Sequence, residues 1–102
     1  MENAETKLTA GQIELIIENS ETDYMKDLYN NAFSIEDIIS VAPKDLAKII
    51  IENYKVEQGD SLDAEEIESG DYIMPLINAE ENEYVDINTN NRTIYIGKWK
   101  NQ

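Results

Sequence analysis

Two segments of alternating apolar and polar residues flank the dipeptide Asn90-Asn91, and no other feature constrains the fold of the chain as strongly. Asparagine tolerates the left-handed backbone conformation that a two-residue turn requires. The pattern therefore predicts a β-hairpin with strands over 83–89 and 92–97. The turn also fixes the register, which pairs Thr89 with Arg92, Ile87 with Ile94, Val85 with Ile96 and Asp86 with Tyr95. In this register the apolar residues share one face of the hairpin, as a sheet packed on a core requires.

Apolar residues in the first half of the chain follow helical spacing instead, three and four positions apart. Each helix is predicted to start at a capping residue or a proline. These residues are Thr9 (with Gln12 completing a capping box), Ser20 or Thr22, Ser34 and Pro43. The predicted helices span 10–18, 22–32, 35–41 and 43–55. The third helix is expected to bury one stripe, formed by Ile35, Ile38, Ile39 and Ala42.

The segment between the helices and the hairpin predicts a helical turn over 62–68 and a strand over 71–77. Pro75 indicates that this strand is an edge strand or contains a bulge, and Trp99 is expected to be half-buried at a sheet edge. These elements predict an α+β fold, in which a bundle of three to four short helices precedes a three-stranded antiparallel β-meander. A length of 102 residues fits one domain over 1–102. Its helical half covers about 8–58, and its acidic turn and meander cover about 60–99.

Negative charge is distributed unevenly along the chain. The net charge is -14, and half of the 22 acidic residues lie in the segment 57–86. No lysine or arginine occurs in the 36 residues between Lys55 and Arg92. A surface that is merely soluble normally mixes both signs, and a one-sign surface adds self-repulsion. We therefore expect a docking surface for a basic partner, although a solvated coat that keeps the protein soluble is the simpler alternative. The expected partner-binding residues are Asp60, Asp63, Glu65, Glu66, Glu68, Asp71, Glu80, Glu81, Glu83 and Asp86.

The residue types leave little scope for catalysis or for a cofactor. The chain has no histidine and no cysteine, so the commonest general base and the thiol nucleophile are missing. Asp86, Asn88 and Asn90 imitate the start of a calcium-binding EF-hand loop, but Asn91 and Gly97 occupy the positions that require glycine and glutamate. The hairpin is the better interpretation, and only an unspecific cation site among the carboxylates of 60–71 is left open. We expect no enzyme, no catalytic residue, no resident metal and no cofactor.

The charge also limits the partners. It would repel nucleic acid and anionic membranes over about 10 Å at 0.1 M salt, so neither is expected to bind directly. No apolar run approaches the 18 residues of a membrane span, and the first residues lack the basic start and apolar block of a signal peptide. The expected location is the cytoplasm. The sequence carries no signal for an oligomeric state.

In size, acidity and lack of catalytic residues, the chain resembles the small acidic inhibitors encoded by phages and mobile elements, such as anti-CRISPR proteins and other DNA mimics. Toxin-immunity proteins are also similar. The resemblance includes no motif, so it assigns no residue. It implies a stoichiometric inhibitor that occupies the basic nucleic-acid-binding surface of a nuclease such as a CRISPR effector. The alternatives are an immunity protein for a basic toxin and a protein–protein adaptor that uses the isoleucine-rich helices.

Overall fold

The computed structural model describes residues 6–63, 76–78 and 80–100. Within these ranges, helices come first and strands follow. The helices are α1 (Ala10–Glu18), α2 (Asp23–Ala32), α3 (Ile35–Ile39) and α4 (Pro43–Asn53). The strands are β1 (Lys55–Gln58), β2 (Leu62–Asp63), β3 (Leu76–Asn78), β4 (Glu83–Asn88) and β5 (Thr93–Lys100). The predicted α+β class is confirmed.

The helices begin where the capping residues predict. The side chains of Thr9, Thr22 and Ser34 each accept a hydrogen bond from a backbone N–H in the first turn of their helix, and Pro43 opens α4. The last two helices are shorter than predicted. α4 ends at Asn53 because the next residue, Tyr54, is already extended (φ -92°, ψ 149°).

The sheet is mixed, not a three-stranded antiparallel meander. Its strand order is β1-β5-β4-β3, and β2 additionally pairs with the end of β5. The β3–β4 and β4–β5 pairs are antiparallel, as predicted, but β1 and β2 run parallel to β5. Because β5 has neighbours on both sides, the half-buried Trp99 does not lie on an edge strand, which corrects that prediction.

The predicted hairpin register is confirmed in its strands: Ile87 pairs with Ile94, Val85 with Ile96, and Asp86 with Tyr95. The turn is longer than expected. β4 ends at Asn88 and β5 starts at Thr93, so residues 89–92 all belong to the loop. The Asn88 side-chain oxygen accepts hydrogen bonds from two loop amides. At the turn, each strand is one residue shorter than predicted, so the loop is longer but the pairing register is unchanged.

The helices pack on one face of the sheet. The buried cluster there combines residues of α1, α2 and α4 with apolar residues of β3, β4 and β5. Its fully buried members are Ile16, Met25, Ala47, Ile50, Val85, Ile87 and Ile94. Ile38 is the member of the predicted α3 stripe that packs against this cluster, whereas Ile35, Ile39 and Ala42 are exposed. The predicted burial of those three residues is therefore wrong.

The opposite face of the sheet has a smaller cluster around Tyr84, which packs against Ile77 and Trp99. Tyr84 pairs directly with Gly97 on β5, and its ring covers the space that a side chain at this position would fill. Its hydroxyl donates to the backbone carbonyl of Asp60. An aromatic ring over a cross-strand glycine is a known way to fill the missing side-chain volume.

Parts of two predictions lie outside the described residues. Of the predicted helical turn over 62–68, the structure describes only Leu62 and Asp63, which form β2 rather than helix. Of the predicted strand over 71–77, it describes only 76–77, which belong to β3. Among the helices in the described ranges, none has both the length and the apolar character needed to cross a bilayer.

Candidate acidic docking surface

The structure describes six of the ten carboxylates expected to bind a partner. Asp60, Glu80 and Glu81 are exposed, whereas Asp63, Glu83 and Asp86 are half-buried. Glu65, Glu66, Glu68 and Asp71 lie outside the described residues. The described carboxylates thus divide into three that are exposed to solvent and three that the fold partly covers.

The exposed carboxylates of Glu80 and Glu81 lie in the turn that joins β3 to β4. The side-chain oxygen of Asn78 accepts from the Glu80 amide at 3.2 Å and orders the start of this turn. A hydrogen bond to Glu83, together with its negative charge, raises the pKa of Glu81, and the nearby ammonium group of Lys98 opposes this shift. This turn between β3 and β4, called the acidic turn from here on, therefore concentrates negative charge at one end of the sheet.

Asp60 follows β1, and its backbone contacts the outer face of the sheet, which is the face opposite the helices. Its carbonyl accepts the Tyr84 hydroxyl, and Asn82 in the acidic turn accepts from the Trp99 amide at 2.8 Å. Tyr84 and Trp99 belong to the same outer cluster. Asp60 and the acidic turn are therefore both anchored to this cluster, while the Asp60 side chain stays exposed.

Glu83 has a partner within the protein. Its Oε2 accepts a hydrogen bond from Nε2 of Gln12, 3.1 Å away, and Gln12 is itself buried at the start of α1. Gln12 also completes the capping box with Thr9. This carboxylate consequently links the first helix to the sheet.

Asp86 is likewise engaged within the protein, where its Oδ1 accepts a hydrogen bond from the Tyr24 hydroxyl at 3.4 Å. Burial raises the pKa of the Asp86 carboxyl, and the Tyr24 hydrogen bond partly offsets this. No short-range pattern in the sequence connects positions 24 and 86, so the contact was not predictable from spacing.

Exposed acids also cover the helices. In the part of the chain for which burial is described, thirteen carboxylates are exposed against seven exposed basic side chains. The acids are Glu14, Glu18, Glu21, Asp23, Asp27, Glu36, Asp37, Asp45, Glu52, Glu57, Asp60, Glu80 and Glu81. The negative surface therefore extends well beyond the acidic segment identified in the sequence.

Exposed isoleucines are a feature that the sequence reasoning missed. Ile35 and Ile39 of α3 are 65% and 77% exposed, and Ile49 of α4 is 38% exposed. Ile35 and Ile39 are four positions apart, so they lie side by side on the helix surface. The sequence signal for this exposure was the pair of acids between the isoleucines, Glu36 and Asp37. A five-residue helix can turn only a narrow face toward the core, so its other side chains face solvent.

Comparisons with protein-family models, with curated proteins and with solved structures give no match. Within the described residues, no group of three or more carboxylates is arranged to hold a metal ion. The features that bear on function are therefore those of the described surface itself.

Proposed function

We propose that the protein is a non-enzymatic binding protein that docks its acidic surface on the basic nucleic-acid-binding surface of another protein, such as a nuclease. Among the residues whose burial is described, the excess of thirteen exposed carboxylates over seven exposed basic side chains supports this proposal.

A partner that holds phosphates with lysine and arginine would attract this surface over a distance. Opposite charges accelerate association, and the acceleration falls as salt screens them. Among the six carboxylates of the predicted site that the structure describes, Asp60, Glu80 and Glu81 have exposed side chains. They are the first candidates for direct contact, whereas Glu83 and Asp86 support the fold.

The test is binding to a panel of purified nucleases with basic nucleic-acid channels, with CRISPR effectors as its first members. Binding would be measured at low and high salt, with and without DNA as competitor. We expect binding that DNA displaces and that high salt weakens. The triple variant D60N/E80Q/E81Q should bind about tenfold more weakly, since each exposed charge contributes about 0.2–1 kcal/mol.

The matched control is E14Q/E18Q/D27N, which removes three exposed charges from α1 and α2. It changes the net charge equally but leaves Asp60 and the acidic turn intact. Equal weakening by both triple variants would show that only the net charge matters. Binding that neither competing DNA nor high salt weakens would contradict the proposal. An immunity protein for a basic toxin would use the same surface, and testing a toxin in the same assay separates the two.

A protein–protein adaptor is the second candidate, and the exposed Ile35 and Ile39 favour it. Apolar side chains exposed by more than half normally mark a contact surface only when they are contiguous, as these two are along α3. Binding through them should survive high salt and should be lost in the variant I35S/I39S. The charge variants above should then have little effect.

A further inference from the structure

At the β1 edge of the sheet, backbone groups have no strand partner among the described residues. In the parallel pair of β1 with β5, the amide of Lys55 donates to Arg92 at 3.0 Å and that of Gly59 to Ile96 at 2.7 Å. Alternate residues of a strand bond to the same neighbour. The backbone N–H and C=O groups of Val56, between them, therefore point away from β5. β1 is at the end of the strand order, so among the described strands none pairs with this edge.

An apolar groove of about 510 Å³ runs beside this edge. Leu8, Ile13, Ile51, Tyr54 and Val56 provide its apolar lining. Its charged lining residues are Lys7, Lys55 and Glu57, which leave one positive charge in excess on a chain of net charge -14. The charges at this edge are therefore nearly balanced, on a chain that is otherwise strongly acidic.

We propose that the groove and the β1 edge bind a second copy of this chain, with the two β1 strands paired antiparallel about a two-fold axis at Val56. The outward N–H and C=O of Val56 then exchange two hydrogen bonds with the partner's Val56. Lys55 lies directly opposite the partner's Glu57, and Glu57 opposite the partner's Lys55. Both side chains are exposed and lie on the same face, since residues two apart in a strand do.

The charges select this register over the neighbouring ones. A two-fold axis at Lys55 would place it opposite its own copy, and an axis at Glu57 would do the same for the carboxylates. Like charges directly opposite each other destabilise an antiparallel pair, and opposite charges stabilise it. Val56 packs on the core side of β1, so in the selected register the partner's Val56 lies on the same side and faces the groove.

The same arrangement explains how a short, charged edge strand can be an interface. Charged side chains normally protect sheet edges from pairing, but here one residue of each sign flanks the axis and each meets its opposite. The net charge of each copy opposes association, and salt screens this long-range repulsion. The proposed dimer should therefore tighten when salt is raised from low to moderate concentration.

Sedimentation velocity of the full chain over a concentration series tests the proposal. Wild type should show a monomer–dimer equilibrium. The single variants Lys55→Glu and Glu57→Lys each place like charges opposite each other twice, and each should weaken the dimer by about tenfold or more. The double variant K55E/E57K restores both opposite-charge pairs and should return the dissociation constant to within about threefold of wild type.

Two controls keep the experiment decisive. Glu57→Lys makes the chain less negative, so general repulsion alone would strengthen association where the proposal expects weakening. Lys26→Glu and Glu36→Lys change the net charge in the same two directions at exposed positions outside β1. These two variants should not weaken the dimer as the β1 variants do. Unchanged thermal unfolding of all variants would show that they fold.

A monomer at every concentration and salt would overturn the proposal. So would a dimer that is insensitive to the charge swap, or one that is abolished by I35S/I39S instead. None of these results bears on binding to a basic partner, which is measured separately with the D60N/E80Q/E81Q variant.

Discussion

The hydroxyl of Tyr24 on α2 donates a hydrogen bond to the carboxylate of Asp86 on β4, and the two residues are 62 positions apart in the sequence. Both side chains are half-buried. Burial raises the pKa of the Tyr24 phenol, and the negative charge of Asp86 raises it further. Asp86 therefore acts as an acceptor within the fold, and its charge is less available to a partner than the acidic sequence around it suggests.

Asp86→Asn should be at least as stable as wild type at pH 7. The pKa of Asp86 is raised in the folded protein, so the folded state holds the proton more tightly than the unfolded state. Stability is then lost as the pH rises from the pKa of the unfolded state, about 3.9, through the higher pKa of the folded state. Asparagine keeps an acceptor for Tyr24 without this loss. Urea unfolding at several pH values from 3 to 8 would measure the difference, which should shrink toward pH 3.

The control for this experiment is Glu80→Gln, which removes an exposed negative charge without touching Tyr24. It should show little of the pH dependence expected of Asp86→Asn. Tyr24→Phe should cost about 0.5–1 kcal/mol, since the 3.4 Å hydrogen bond is long. A large loss of stability in Asp86→Asn at pH 7 would show that the ionised carboxylate is required.

Gly97→Ala should destabilise the protein by about 1–3 kcal/mol. A methyl group at Gly97 would lie 2.8 Å from Cε2 of Tyr84, and that ring is held by the bond of its hydroxyl to Asp60. Gly11→Ala is the matched control, because its methyl group would lie 3.9 Å from the nearest side-chain atom, Oγ1 of Thr9. It should be neutral or stabilising by up to about 1 kcal/mol, since alanine favours a helix more than glycine does. Thermal unfolding of both variants would compare them, and equal effects would contradict the proposed role of Tyr84.

Local signals predicted much of this fold. Thr9, Ser34 and Pro43 each act within four residues of the chain, and the hairpin register follows from alternation on two adjacent strands. β1 was missed because it has one apolar residue, Val56, among four, and its parallel partner lies 38 positions away. Parallel strands are joined by a long connection, so no tight turn in the sequence indicates that they pair.

The candidate site was predictable only as a charge distribution. Composition indicated the acidic surface, but it could not separate Asp60 and Glu81, which are exposed, from Glu83 and Asp86, which have partners within the fold. Those partners come from α1 and α2, and their identity depends on how the helices cross the sheet. Pairing of this kind leaves no spacing pattern in the sequence.

Gln12→Ala should cost about 1–3 kcal/mol, more than the loss of a helix cap alone. Gln12 is buried, its side-chain oxygen accepts from the Thr9 amide at 2.9 Å, and its Nε2 donates to Glu83. Thr22→Ala, which removes the cap of α2, should cost about 1 kcal/mol. In the cycle Q12A, E83A and Q12A/E83A, chemical denaturation should give a coupling free energy of about 0.5 kcal/mol or more. Additive losses would mean that the bond between helix and sheet contributes nothing.

Two neighbouring isoleucines of α3 provide the sharpest test of how this helix is placed. Ile38→Ala should cost about 1–3 kcal/mol, because Ile38 is half-buried and packs against the core cluster. Ile39→Ala should change stability by less than about 0.5 kcal/mol, because this side chain is 77% exposed. The two variants remove the same atoms from adjacent positions, so intrinsic helix propensity cancels between them. Urea unfolding would measure both, and a larger loss at Ile39 than at Ile38 would mean that α3 presents its other face to the core.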